Sequence, residues 1–307
     1  MNPAFSVVLF TTIAGAAQGL VVTLALAVLV GLELSTGFLS GSLLLAVVML
    51  VAGLGASFAH LGRPERAWRA AMMWRTSWLS REVIALPVFI GVTGLWWLLV
   101  RSGVDTMLLP IVAIVLAFVL WYCTAMIYRC LRFIEEWAQP LTLVNFTLIG
   151  LSSGLVLSSA LAAWSDQAAF LRVSGPAALV LTMLAWLSRV LSLRHNARLK
   201  HRSTLQTATG IHSPRLVQQS MGMSAGSFNT RELFHHVSRT AFGQIRLGFL
   251  LSCFLAPVLF ALWGLAGGGA TAWTLAWLVQ IPGLLAERWF FFAQARHPQN
   301  LYYQVVS

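Results

Sequence analysis

Charge is scarce in this sequence, and acid is scarcest: 9 Asp and Glu stand among 307 residues, and all charged side chains together make 9%. Soluble domains carry about 25%. With 58% of its residues hydrophobic and a mean hydropathy of +0.79, the protein has more apolar side chain than a water-soluble fold of this length can hide. Soluble enzymes and disordered tails are excluded together. Cysteine is as sparse. Cys123, Cys130 and Cys253 make no Cys-x-x-Cys pair, staple no secreted domain, and fall short of the four thiolates an iron–sulfur cluster takes. They lie in or beside apolar runs and read as small hydrophobic residues. What remains is an integral membrane protein that crosses the bilayer several times.

Long apolar runs are what the sequence has instead. A crossing helix takes about 20 mainly apolar residues, and eight segments qualify: 3–32, 36–59, 83–100, 106–128, 140–164, 175–193, 247–266 and 270–286. The last two come from one uncharged stretch between Arg246 and Glu287, too long for a single crossing and divided by Gly267, Gly268 and Gly269. The first lacks the basic start of a signal peptide and outruns its apolar region, so it reads as retained. Trp78, Trp96, Trp97, Trp121, Trp164 and Trp289 fall near the expected span ends, where amphipathic rings favour the interface. The expected fold is all-α: an integral membrane bundle of eight transmembrane helices, one domain over residues 1–307, with a long polar connection at 194–246.

The net charge is +11, from 20 Lys and Arg against the 9 acids. On a soluble protein such an excess points to nucleic acid; here its distribution decides. With eight crossings, both termini share a side with the connections after the second, fourth and sixth spans. Every Lys and Arg except Arg101 and Arg172 falls on that side, as do all seven histidines. Basic residues collect in cytoplasmic loops, so N and C termini are expected in the cytoplasm, at the inner membrane of a bacterium. The charge becomes a statement of orientation, and no nucleic-acid partner is expected.

Inside the spans the sequence reads as almost free of ionisable groups, whereas ion pumps and proton-coupled transporters place them at mid-depth. The deepest polar residues are Gln18, Asn145, Ser152 and Ser153. Gln18 sits beside Gly15 and Gly19, and Ser153 beside Gly150 and Gly154, which fits helix packing; for Gln18 the alternative is that its amide lines a ligand cleft. Bis-histidine haem needs two imidazoles at similar depth. Only His60 touches an expected span, so no haem is expected.

The informative stretch is HLGRPERAWRAAMMWRTSWLSRE, residues 60–82, joining the second and third spans on the basic side. Its bland reading is an interfacial loop whose arginines meet lipid phosphates. Its sharper reading is a quinone site: His60 ends one helix and Glu82 opens the next. A quinone needs a hydrogen-bond donor at its carbonyl and a group that passes protons; a neutral histidine does both, and a glutamate at the membrane edge relays. The adjoining arginines would then hold an anion or dock an acidic partner. Arg66, Arg69 and Arg75, with Arg215 and Arg231 of the long connection, are the candidates for docking.

HLGRPERAWRA followed by LSRE resembles the membrane anchor subunit of dimethyl sulfoxide reductase, the DmsC family. The likeness extends to PAFSVVLFTTIAGAAQG at the start, SMGMSAGSFNTREL at 220–233 and AERWFFFAQARHPQN near the end. It implies an eight-helix anchor, without haem or iron–sulfur cluster of its own, for an iron–sulfur subunit with four clusters and a molybdopterin catalytic subunit. It ties His60 and Glu82 to binding and oxidation of the quinol. Arg63 stands where some members have Ser and is not carried over. Such an anchor is inactive alone. A cytoplasmic docking face suits the sulfite-oxidising relatives, and an exported reductase suits the opposite orientation. Anchors of the NrfD group, a transporter of a small hydrophobic or sulfur compound, and a purely structural anchor remain the alternatives.

Overall fold

A computed structural model describes residues 1–59, 61–220 and 228–303 of the protein. His60, residues 221–227 of the SMGMSAGSFNTREL segment and residues 304–307 lie outside the described residues. All regular structure among those described is helical.

The apolar runs become helices α1 (Phe5–Leu29), α2 (Thr36–Phe58), α3 (Trp78–Arg101), α4 (Leu108–Arg129), α5 (Pro140–Trp164) and α6 (Ala168–Ala197). Local chemistry sets several starts. Ser35 and Ser77 cap α2 and α3 by accepting from the amides of Phe38 and Ser80, and Pro140 fills the first turn of α5, where a missing N–H is harmless. The Ser77 cap puts the start of α3 five residues before the expected one, so Glu82 lies inside the helix rather than at its mouth. Helix α6 likewise overruns the expected 175–193 at both ends, passing through Pro176.

After α6 come two short helices, α7 (Leu205–Thr209) and α8 (Phe228–Glu232), and then a helical run of 55 residues, Arg239–Ala293. That run comprises α9 (Arg239–Phe249), a π-helical turn Leu250–Leu255, α10 (Ala256–Trp263), a second such turn Gly264–Gly268, and α11 (Gly269–Ala293). Laid straight it would measure about 80 Å against a hydrocarbon core of about 30 Å. It doubles back instead. Gly267 and Gly269 take φ of 105° and 59° at the reversal, and thirty residues apart Gly283 of α11 meets the backbone of Cys253. The connection expected at 194–246 is thereby shortened, since α6 continues to Ala197 and α9 begins at Arg239. Counted as unbroken runs, seven helices are long and apolar enough to cross a membrane.

Helices α1 and α5 form the middle of the bundle. They cross where Gly19 meets Gly150 and Gly154, so closely that a Cβ on Gly154 would overlap the backbone of Gly19. Gly154→Leu is therefore expected to force the two central helices apart, at the upper end of the ~1–3 kcal/mol usual for overpacking or beyond it, and to deplete the protein from membranes. Gly91→Ala, which meets open space, serves as the control. Two tryptophans expected at the interface sit in the core instead: Trp96 and Trp121 are buried, Trp121 fitting because Gly150 leaves room for its indole. Cys123 and Cys253 are buried and Cys130 is exposed.

Candidate functional site

Glu82 sits on α3 facing the bundle interior, 6% exposed. Thr124 of α4 donates its hydroxyl hydrogen to the Glu82 carboxylate. Glu82 was expected to open the third span; with α3 beginning at Trp78 it lies one turn inside the helix, against α4. Just before it, Arg81 lies over the Trp78 ring at 4.1 Å and donates to the carbonyls of Trp74 and Arg75 at 2.9 and 2.8 Å. The end of the 60–82 stretch is thus clasped onto α3. Glu82 is the described member of the expected His60–Glu82 pair.

Thr124 also lines a small cavity between α1, α4, α5 and α11, together with Thr12, Gln18, Trp121, Ser153 and Arg288. Its volume of about 20 Å³ is enough for one water. Thr12 Oγ1, Gln18 Oε1 and Trp121 Nε1 are buried there without a hydrogen-bond partner among the described residues. Gln18 packs beside Gly15 and Gly19 and lines this one-water cavity, which it shares with the hydroxyl that holds Glu82. Asn145 and Ser152 serve helix packing: Ser188 donates to Asn145 Oδ1 at 2.8 Å, and Ser152 and Thr182 hydroxyls meet at 3.0 Å.

Beyond the cavity lies what the sequence reading missed. Glu287 of α11 is fully buried between two guanidinium groups: Arg189 Nε of α6 at 2.6 Å and Arg288 Nη2 at 2.5 Å. Arg189 and Arg288 are themselves 0% and 3% exposed. Arg288 lies 4.2 Å from the Phe146 ring, and Arg189 5.5 Å from that of Phe249. The expectation of spans nearly free of ionisable groups, with Arg189 and Arg288 counted among the surface charges of the basic side, is overturned. Arg189 lies within the expected 175–193 span, and α11 continues past the expected end at 286 and takes in Glu287 and Arg288. One signal was present. Ser174, Thr182, Ser188, Arg189 and Ser192 fall on one buried face of α6, so Arg189 prolongs a polar stripe rather than starting a loop.

At the end of the bundle where α6 and α11 finish, a polar pocket of about 510 Å³ is lined by Glu136, Asn196, His201, His235, Arg246 and Arg296, among others. Burial, then the N-terminal ammonium and His236, lower the His235 pKa from its ordinary value. The expected docking residues Arg66, Arg69, Arg75, Arg215 and Arg231 are all exposed. Arg66 and Arg69 lie on a 3-10 helix, Pro64–Ala71, beside exposed Trp68, Met72, Met73 and Trp74. Among the described residues no group of three or more His, Cys, Asp or Glu is arranged to hold a metal.

Comparison with known proteins bears on what this arrangement serves. The family model described as DMSO reductase anchor subunit (DmsC) matches residues 1–218. A sulfite dehydrogenase subunit of Allochromatium vinosum is 45% identical over 327 aligned positions that cover the full length of both proteins. The YnfH subunit of an anaerobic dimethyl sulfoxide reductase of Escherichia coli is 32% identical over 117 residues, 36% of this protein and 41% of that one. A subunit of the anaerobic dimethyl sulfoxide reductase of Haemophilus influenzae is 31% identical over 121 residues, 38% and 43% of the two proteins. The matched region takes in the 60–82 stretch, Gln18, Glu82, Thr124 and Arg189, and the protein belongs to the DMSO reductase anchor subunit (DmsC) family.

Proposed function

We propose that this protein is the quinone-reactive membrane anchor of a molybdopterin oxidoreductase. It exchanges electrons between the quinone pool and an iron–sulfur subunit with four clusters, which in turn serves a molybdopterin catalytic subunit. The observation that carries the reading is Glu82: a carboxyl group buried inside an apolar helix bundle and bonded to Thr124. Intramembrane acids are costly and sit where protons or ions are handled. In this reading His60 donates to a quinone carbonyl and Glu82 exchanges the proton. The protein forms one domain of eight crossings, the doubled-back Arg239–Ala293 run counting as two. It holds no haem or cluster of its own and is inactive without its partners.

The full-length likeness to a sulfite dehydrogenase subunit supports the sulfite-oxidising type, with electrons passing towards quinone. So does the basic face, which positive-inside bias assigns to the cytoplasm along with both termini. Arg215 and Arg231 are proposed to dock the iron–sulfur partner there. For Arg66, Arg69 and Arg75 a second reading has its own support: exposed Trp and Met side chains interleave with them, as in segments seated among lipid headgroups.

The test is His60→Ala in the assembled complex, with turnover measured two ways. With quinone as the electron partner, activity is expected to fall by about 10²-fold. With a water-soluble dye that reacts at the catalytic subunit, it is expected to stay at the wild-type level. Quinone-linked turnover that survives in full contradicts the reading and leaves a structural anchor.

A further inference from the structure

Quinone exchange at Glu82 assigns no role to the cavity or to the Arg189–Glu287–Arg288 cluster, yet the contacts join them into one line. The Glu82 carboxylate meets Thr124. Thr124 and Arg288 line the same cavity. Arg288 and Arg189 both hold Glu287. One helical turn further along α6 and α11, Leu193 and Phe290 line the polar pocket at the basic end, whose walls include Glu136, His201 and His235. From Glu82 the lipid side offers nothing comparable: Ile84 and Val88, the exposed neighbours on α3, are apolar.

Unpartnered atoms mark where water belongs on this line. Thr12 Oγ1, Gln18 Oε1 and Trp121 Nε1 face the cavity, and Arg189 Nη1 and Nη2 are buried in the cluster, all without hydrogen-bond partners among the described residues. Burying such groups dry is costly. A water that accepts from Trp121 Nε1 and donates to Gln18 Oε1 would satisfy two of them in a space sized for it.

We propose that these groups form an internal, water-bridged proton route between Glu82 and the pocket at the basic end, so that protons exchanged at Glu82 cross the bundle interior rather than passing straight into the headgroup layer. The inference rests on the proposed exchange of protons between Glu82 and quinone. When a quinol is oxidised, its two electrons leave to the iron–sulfur partner, one hydroxyl proton passes to the Glu82 carboxylate and the other to His60. Glu82 then passes its proton through the Thr124 hydroxyl, which lines the cavity, to the cavity water, and a proton emerges at the pocket. Reduction of a quinone runs the same line in reverse. Thr12 and Gln18 are positioning residues here, acting through the water they hold.

The experiment uses the assembled complex carrying Thr12→Val or Gln18→Leu, which keep the side-chain volumes nearly unchanged and remove polar atoms that have no protein partner. The expected result is quinone-linked kcat lowered by about tenfold, an unchanged KM for quinone, an increased solvent deuterium isotope effect, and wild-type turnover with the dye. Because each change removes an unsatisfied buried group, a dry packing role predicts equal or greater stability with kcat and isotope effect unmoved. That result overturns the route. So does a raised KM at constant kcat in both variants, which would give the cavity to substrate binding instead. Full quinone-linked activity in Glu82→Gln would remove the quinone reading itself. A dead Glu82→Gln beside fully active Thr12→Val and Gln18→Leu removes the route alone.

Discussion

Glu82→Gln is expected to lower quinone-linked turnover of the assembled complex by about 10²–10⁴-fold, the range general acid–base groups contribute, while dye-linked turnover holds. The amide has nearly the shape of the carboxylate, and its oxygen can still accept the Thr124 hydroxyl that the carboxylate accepts. The fold is therefore spared and proton exchange is lost, which separates chemistry from structure. Glu82→Asp keeps the acid but draws it back by one methylene from Thr124, so an intermediate loss is expected. Thr124→Val leaves the acid in place with one hydrogen bond fewer, and a smaller loss still. An order of effects in which Thr124→Val exceeds Glu82→Gln would contradict the assignment of the proton to Glu82.

The largest effect on stability is expected from Glu287→Ala. Glu287 is the carboxylate that both Arg189 and Arg288 contact, and the three together carry one net positive charge in a buried setting. Removing one partner of a buried pair typically costs about 3–5 kcal/mol, because the charge left behind has lost its compensation. Here two guanidinium groups are left behind, lying against the faces of Phe146, Phe249, Phe290 and Phe291. Against a typical margin of about 5–15 kcal/mol, the protein should be strongly depleted from membranes, and its melting midpoint in detergent should fall by many degrees. Glu287→Gln, which keeps an acceptor oxygen, should be milder. Arg189→Met combined with Glu287→Gln should recover part of the loss, since it removes one of the stranded cations. A Glu287→Ala variant that accumulates and melts like the wild type would show that the cluster carries no weight in folding.

Most of the helices were legible because hydrocarbon-length apolar runs and their bounding turns are local properties. Helices α1, α2, α4 and α5 begin and end within a few residues of the expected bounds, and the three glycines at 267–269 do mark the reversal. The charged cluster was not legible for a physical reason. The eighth expected span stops at 286, before its first charge, because an unpaired charge in hydrocarbon is costly, but Arg189 and Glu287 meet across 98 positions of sequence, and pairing at that distance is a tertiary fact. Glu82 was expected to open the third span, and it lies one turn inside α3 and buried. The Ser77 cap carries α3 back past the hydropathy boundary, and the burial is produced by α4 packing against α3. Trp96 and Trp121 show the same limit: tryptophan favours the interface on average, and whether a particular ring is buried depends on what the facing helix leaves open, here Gly150.

Labelling of the assembled complex with a photoreactive quinone, followed by mapping of the modified peptides, addresses the central claim most directly. If quinone chemistry takes place in this protein at Glu82, the label should fall in residues 57–86 and the facing part of α4 around Thr124. Excess natural quinone should displace it. Label confined to the partner subunits, or spread along the lipid-facing side of α6 and insensitive to competitor, would contradict the account.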